Sequence, residues 1–326
     1  MHALRLRAPQ TFEPVPDTPA PRPRPGEVTV RLAAAALCGS DLPKFRSTAD
    51  PRSGRPGFPV HECVGTIAEA APDTGLHPGQ RVLAMPDDEC GLAEIYRAHR
   101  DTTHPINSDH LTDAQATLIQ PIATMLYATA KLDADLDGAR VTVIGLGPIG
   151  LICAHILSRR GARVTGVDPT PRSQGITRAF GITRHIQDTA AALTTRTRAH
   201  EPADICVEAV GHQQRTLRDA IASTRHSGTV LALGVPDDAE YALPYDQLLR
   251  ANLTLKASIT PPWQQVFAPA ADYLTTHLDT LKLLITHTFP VTDATTAYRT
   301  YAEPAPDRLK VIISTAGGWT PAGSPS

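Results

Sequence analysis

Residues 141–168 read VTVIGLGPIGLICAHILSRRGARVTGVD, and the fold class follows from them. A short β-branched run ends in Gly145. Gly145, Gly147 and Gly150 then form the spacing GxGxxG ahead of an apolar helical stretch, and a second β-branched run closes on Asp168. Each part has a physical task. The first glycine permits a tight turn, the second lets backbone approach a pyrophosphate, and the third packs strand against helix. The helix that starts at Pro148 offers unpaired N–H groups from Ile149 onward to the phosphates, and a terminal acid accepts from ribose hydroxyls. Gly145, Gly147, Pro148, Ile149, Gly150 and Asp168 therefore make a dinucleotide site. Asp168 accepts from both ribose hydroxyls of NAD and repels the phosphate of NADP, so NAD is expected and NADP is less favoured. Arg172 and Arg178 keep that choice open. Arg172 is counted with the cofactor residues because it either accommodates a phosphate or lies over the adenine face; the other reading is a pair of solvated helix arginines.

Outward from this stretch, strands alternate with helices. VTVIG, RVTGVD, DICVEAV, TVLALG and LTLKAS are short apolar runs of the kind that fill a parallel sheet covered on both faces. Thr112 in LTDAQATL is a helix N-cap in prospect, and the pattern changes there. Before it, EVTVRLAAAA, CVGTIAEA and QRVLAMP are β-branched runs between Pro and Gly, so the first part reads as mostly β. PDTPAPRPRPGE and FRSTADPRSGRPGFP read as surface loops. From Ile259 a helix, WQQVFAPAADYLTTHL, and a strand, KVIIST, return the chain to the first domain.

With 326 residues the chain has room for two domains. A formal charge of -2 gives no electrostatic reason to expect nucleic acid or an acidic membrane as partner, and a small molecule is the better expectation. The five cysteines are scattered, with no CxxC, which argues against a disulfide framework and for a reducing cytoplasm. The N-terminus lacks the apolar stretch of a signal peptide, and the least charged run is broken by three glycines and a proline, so no membrane span is expected.

Two segments of the first part carry metal-binding chemistry, ALCGSDLPKF (36–45) and FPVHECVGTI (58–67). Cys38 with Asp41, and His61 with Glu62, supply a thiolate, an imidazole and carboxylates, a set that suits zinc. The order CGSD, then HE, then GLGPIG resembles the medium-chain, zinc-dependent alcohol and polyol dehydrogenases, and PGE (25–27), LHPGQRV (76–82), VEAVG (207–211) and ITHTFPVTDATTAY (285–298) extend the likeness over nearly the whole chain. The resemblance implies an α/β protein: a mostly-β GroES-like catalytic domain at 1–115, completed by 259–326, and a Rossmann doubly wound parallel-sheet domain at 116–258. It also implies that Cys38 and His61 ligate a catalytic zinc, that the Ser40 hydroxyl relays the substrate proton, and that Asp41 and Glu62 hold second-shell or exchangeable positions.

Departures from the family matter as much. Cys90 alone cannot make the four-cysteine structural zinc of many relatives, so none is expected. In LIQPIATMLYA (118–128) Gln120 stands where the family usually places an acid or a cysteine as third ligand. An amide oxygen is a neutral, weaker donor. Gln120 ligates through it, Glu62 replaces it, or the site holds no metal. The family's relay histidine is missing, and LPKF offers Lys44 as a donor to substrate or as a solvated lysine. Arg46, Arg52 and Arg55 either recognise a phosphate or many hydroxyls or belong to a solvated loop.

The expected activity is NAD-dependent interconversion of a secondary alcohol of a polyol, sugar or cyclitol with its ketone, in a homodimer or homotetramer joined near LTLKAS. The competing readings are a zinc-free reductase of a carbonyl or activated double bond, and a catalytically silent NAD-binding sensor.

Overall fold

The computed structural model describes residues 1–133, 135–189, 191–192 and 201–319. Two compact units emerge. One holds Met1–Gln120, Trp263–Pro304 and the chain from Arg308; the other holds Pro121–Pro262 with Ala305–Asp307. Residues 320–326, the end of the segment expected to complete the first domain, lie outside the described residues.

The first unit starts with an antiparallel ribbon of β1 (Ala3–Ala8) and β2 (Thr11–Val15). Its sheet is organised by β3 (Glu27–Ala36), whose β-branched first half and alanine-rich second half suit a strand packed closely on both faces. Strand β4 (Glu62–Ala70) runs antiparallel along one edge of β3 with Glu62 opposite Ala36 and Cys63 opposite Ala35. Beyond β4 lies β5 (Arg81–Ala84). Strand β6 (Ile95–His99) takes the first half of the other edge of β3, and β7 (Thr103–Pro105) pairs with β5. Thr112 does cap a helix: its hydroxyl accepts from the Gln115 N–H at 3.2 Å and the Gln115 side chain accepts from the Thr112 N–H at 2.9 Å. That helix ends at Ala116, and a second runs Ile119–Ala130.

The second unit is a six-stranded parallel sheet of β8 (Arg140–Ile144), β9 (Arg163–Val167), β10 (Ile182–Ile186), β11 (Ala203–Glu208), β12 (Thr224–Ala232) and β13 (Thr254–Ala257). Its order is β10-β9-β8-β11-β12-β13, the doubly wound arrangement whose direction reverses between β8 and β11. Val141, Val143, Ile205 and Val207 are buried, as expected of strands covered on both faces. β10 was not among the expected strands. Its ITRHI sequence is buried only at its ends, because it borders the sheet.

The chain then re-enters the first unit through the helix Trp263–Thr276, β14 (Ile285–Pro290), the helix Ala294–Ala302 and β15 (Lys310–Ser314). β15 pairs antiparallel with the second half of β3, Ile312 opposite Ala36, and β14 lies parallel outside it. Phe45, Val60, Tyr96, Tyr298 and Val311 belong to one core, each side chain contributing about 1.5–3 kcal/mol by burial. Tyr298 donates its buried hydroxyl to the Pro59 carbonyl, fixing the segment that leads into His61. Among the described residues no helix is long and apolar enough to cross a membrane.

Candidate active site

The register of the first sheet assembles the site. Because Ala36 faces Glu62 across β3 and β4, the residues just past the end of β3 meet those at the start of β4. Cys38, His61 and Glu62 consequently present one sulfur, nitrogen or oxygen donor each within 4.8 Å of one another. Asp41 closes a short turn, Gly39–Asp41, that carries Ser40; its Oδ2 accepts from the Cys38 N–H at 2.9 Å. Its Oδ1 lies 3.0 Å from His61 Nδ1, close enough for charge attraction but without the alignment of a hydrogen bond. From the other side β15 brings Lys310, whose ammonium pairs with Glu62 Oε2 and donates to the Leu37 carbonyl at 3.1 Å. Lys310 and Glu62 are both fully buried.

This chemistry fits a divalent cation. Asp41 Oδ1, Glu62 Oε1 and His61 Nδ1 are buried without a hydrogen-bond partner, and each such atom costs about 1–3 kcal/mol. Burial opposes protonation of His61, yet the Asp41 carboxylate and Cys38 outweigh it and hold the imidazolium well above its ordinary range. Burial pushes the Glu62 carboxyl up, against the pull of Lys310 and His61. The pocket concentrates negative donors and draws positive charge to them.

The loop that in relatives holds four cysteines is here a tight turn, Asp87–Glu89, with Asp88 at φ 53° and Glu89 at φ 61°. The Glu89 carbonyl accepts from the Val60 N–H at 2.8 Å. Its carboxylate oxygen joins donor atoms of Asp41 and His61 within 4.8 Å. Lys44 is partly exposed and pairs with Glu89. Arg52 pairs with Asp50 at 2.8 Å, lies 3.5 Å from Glu89 and covers the Phe58 ring; its hydrogen bond holds the Asp50 carboxyl down at about 2. Arg55 pairs with Asp88, and Arg46 donates to the Ala302 carbonyl. These loop cations are thus occupied by the protein's own groups. Gln120 is buried at the second position of its helix, in the same unit as Cys38 and His61.

In the second unit Gly145 follows β8 with φ 93°, and a Cβ on Gly150 would sit 1.8 Å from the Gly145 carbonyl oxygen. Gly147 differs. It caps the helix Pro148–Arg159 and a Cβ there would meet open space, room that the close approach of a pyrophosphate requires. Asp168 Oδ2 accepts from the Leu146 N–H and Oδ1 from the Thr170 N–H, each at 2.7 Å, which ties the acid to the glycine turn and leaves further lone pairs. Arg172 donates to the carbonyls of Ala305 and Pro306 at 3.1 and 3.0 Å, and Arg178 to Gln174 of its own helix.

Residues 24–111 match the family described as alcohol dehydrogenase GroES-like domain, and residues 148–276 match zinc-binding dehydrogenase. The chain belongs to the zinc-type medium-chain alcohol dehydrogenase family. L-threonine 3-dehydrogenase of Legionella pneumophila is 25% identical over 88% of this chain and 92% of its own length. Sorbitol dehydrogenase of Bombyx mori is 23% identical over 84% of this chain and 87% of its own. The crystal structure of galactitol-1-phosphate dehydrogenase from Escherichia coli superposes with a TM-score of 0.79 at 22% identity, covering 96% of this chain and 100% of that one, a likeness of fold. This medium-chain oxidoreductase therefore has the GroES-like and doubly wound architecture that its motifs implied. Sequence reasoning missed Glu89 and Lys310. Lysine and glutamate read as solvated by default; strand pairing places Lys310, and the turn bound to Val60 places Glu89.

Proposed function

We propose that this medium-chain dehydrogenase interconverts a secondary alcohol of a polyol, sugar or cyclitol with its ketone, using NAD and one catalytic zinc. The observation that carries the reading is the convergence of Cys38, His61 and Glu62 on a pocket with unpartnered buried donor atoms. Cys38 and His61 are the fixed ligands, with a third donor from Gln120 or Glu62. Zinc, when bound, supplies a Lewis acid that polarises the alcohol oxygen, and NAD supplies the hydride acceptor. The Ser40 hydroxyl relays the alcohol proton, accepting it through Oγ as its own hydrogen passes on toward solvent. Asp41 orients His61, and Lys310 neutralises Glu62.

Gly145, Gly147, Pro148, Ile149 and Gly150 bind the pyrophosphate, and Asp168 the adenosine ribose. The engagement of Arg172 with backbone carbonyls supports NAD over NADP. A single cysteine, Cys90, in the Asp87–Cys90 loop supports a chain without structural zinc. The catalytic domain spans 1–115 and 259–326 and the NAD domain 116–258, a few residues from the breaks between the compact units. β13 borders its sheet with Leu255 partly exposed, which supports a homodimer or homotetramer joined there, in the cytoplasm.

Metal analysis of the purified protein with turnover on a polyol, sugar and cyclitol panel tests the proposal. The expected result is about one zinc per chain and NAD-linked activity lost to a chelator and restored by zinc. Activity without metal, or tighter binding of NADPH than NADH, would count against it.

A further inference from the structure

We infer that Glu89 supplies to the cation site the carboxylate that Gln120 does not; the inference rests on the zinc reading above. An oxygen of Glu89 lies within 4.8 Å of donor atoms of His61 and Asp41. Ligands about 2.0–2.3 Å from zinc sit about 3.3–3.8 Å from each other, so Glu89, which shares His61 with the group of Cys38 and Glu62 without itself belonging to it, reaches the metal by a side-chain movement. Asp41, 0% exposed, belongs to the same group; its Oδ1 faces His61 Nδ1 at 3.0 Å and accepts no hydrogen bond. The backbone delivers Glu89 from a turn in which Asp88 and Glu89, neither a glycine, both hold left-handed φ. The Val60 N–H to Glu89 carbonyl bond ties that turn to the segment entering His61.

Charge distinguishes Glu89 from Glu62. A thiolate with a neutral imidazole and a neutral amide leaves the site one negative charge short of a set with an acid at position 120. Glu62 can offer only Oε1 while Oε2 holds Lys310, and moving its whole carboxylate onto the metal would strand that buried ammonium. Glu89 leaves partners that tolerate its departure. The Lys44 side chain is 18% exposed, and Arg52, 29% exposed, keeps Asp50.

Zn2+ and Co2+ titrations of the metal-stripped full-length chain test the assignment. Glu89→Gln should weaken Zn2+ binding at least about tenfold and change the visible d–d bands of the Co2+ form, as loss of a ligand does. Adding Gln120→Glu to Glu89→Gln should restore the affinity, because the missing charge returns from the other side. Lys44→Met should tighten binding by freeing Glu89. Wild-type affinity in Glu89→Gln, no rescue by Gln120→Glu, or a larger loss in Glu62→Gln overturns the assignment alone. A wild-type chain that takes up neither metal overturns the zinc reading and the assignment with it.

Discussion

Four buried carboxylates, two in each unit, meet their surroundings in different ways. In the second unit Glu208 accepts from Val210 N–H, Gly211 N–H and the Thr216 hydroxyl through Oε1 and from Gly234 N–H through Oε2, while Asp168 receives an N–H on each oxygen. Both acids brace loops that follow the strands at the reversal of the sheet. In the first unit Asp41 Oδ1 and Glu62 Oε1 accept no hydrogen bond, although Asp41 Oδ1 lies 3.0 Å from His61 Nδ1. An acid used as scaffold is satisfied by the backbone; an acid kept for a ligand retains an open lone pair at the expense of stability.

The largest expected effects bear directly on this contrast. Lys310→Met leaves Glu62 buried and uncompensated and should destabilise the chain by about 3–5 kcal/mol in urea unfolding, whereas Lys310→Met with Glu62→Leu should return most of the loss. Glu208→Gln, which turns an amide NH2 toward backbone donors, should cost about 1–3 kcal/mol and leave Zn2+ affinity unchanged. If Glu208→Gln altered metal uptake, or Lys310→Met cost under about 1 kcal/mol, the division between scaffold acids and ligand acids would fail.

Within the glycine turn a finer test separates ligand space from packing. Gly147→Ser keeps a good N-cap residue at φ −72° and meets no protein atom, so the melting temperature should hold while the NADH dissociation constant rises about tenfold or more. Gly150→Ala does the reverse: its Cβ collides with the Gly145 carbonyl, and overpacking of this kind costs about 1–3 kcal/mol with or without cofactor. Equal loss of melting temperature in both variants would show that Gly147 is a packing residue.

How far the sequence was legible follows from the same geometry. The turn from Gly145 to Asp168 lies in one continuous stretch, and each residue answers a backbone constraint visible in its neighbours, so the doubly wound half could be read directly. Cys38 and His61 were legible by residue type. Glu89 and Lys310 were not: Lys310 reaches the site through the register of β15 against β3, across nearly the full length of the chain, and Glu89 through a turn bound to Val60. The pairing of Lys44 was hidden for a related reason: its partner Glu89 becomes a neighbour only once the Asp87–Glu89 turn lies along residues 57–60, whereas Arg52 pairs with Asp50 two residues away.

The smallest expected effect tests whether acid stability resides in the second unit's exposed rim. Asp204 accepts from the Arg140 N–H at 2.8 Å and from the guanidinium groups of Arg140 and Arg225. Burial alone would raise its carboxyl, but the two arginines prevail and hold it down at about 2. A carboxyl lowered from 3.8 stabilises the fold fully above that value and loses the contribution as pH falls through about 2. With 23% of the side chain exposed, solvent screening reduces the worth of the cluster to about 1 kcal/mol. Asp204→Asn should therefore unfold earlier in urea at pH 7 by about that amount, with the gap from wild type closing by pH 2. A gap independent of pH would mean that Asp204 acts through the Arg140 backbone bond and not through charge, which would make it a third scaffold acid beside Asp168 and Glu208.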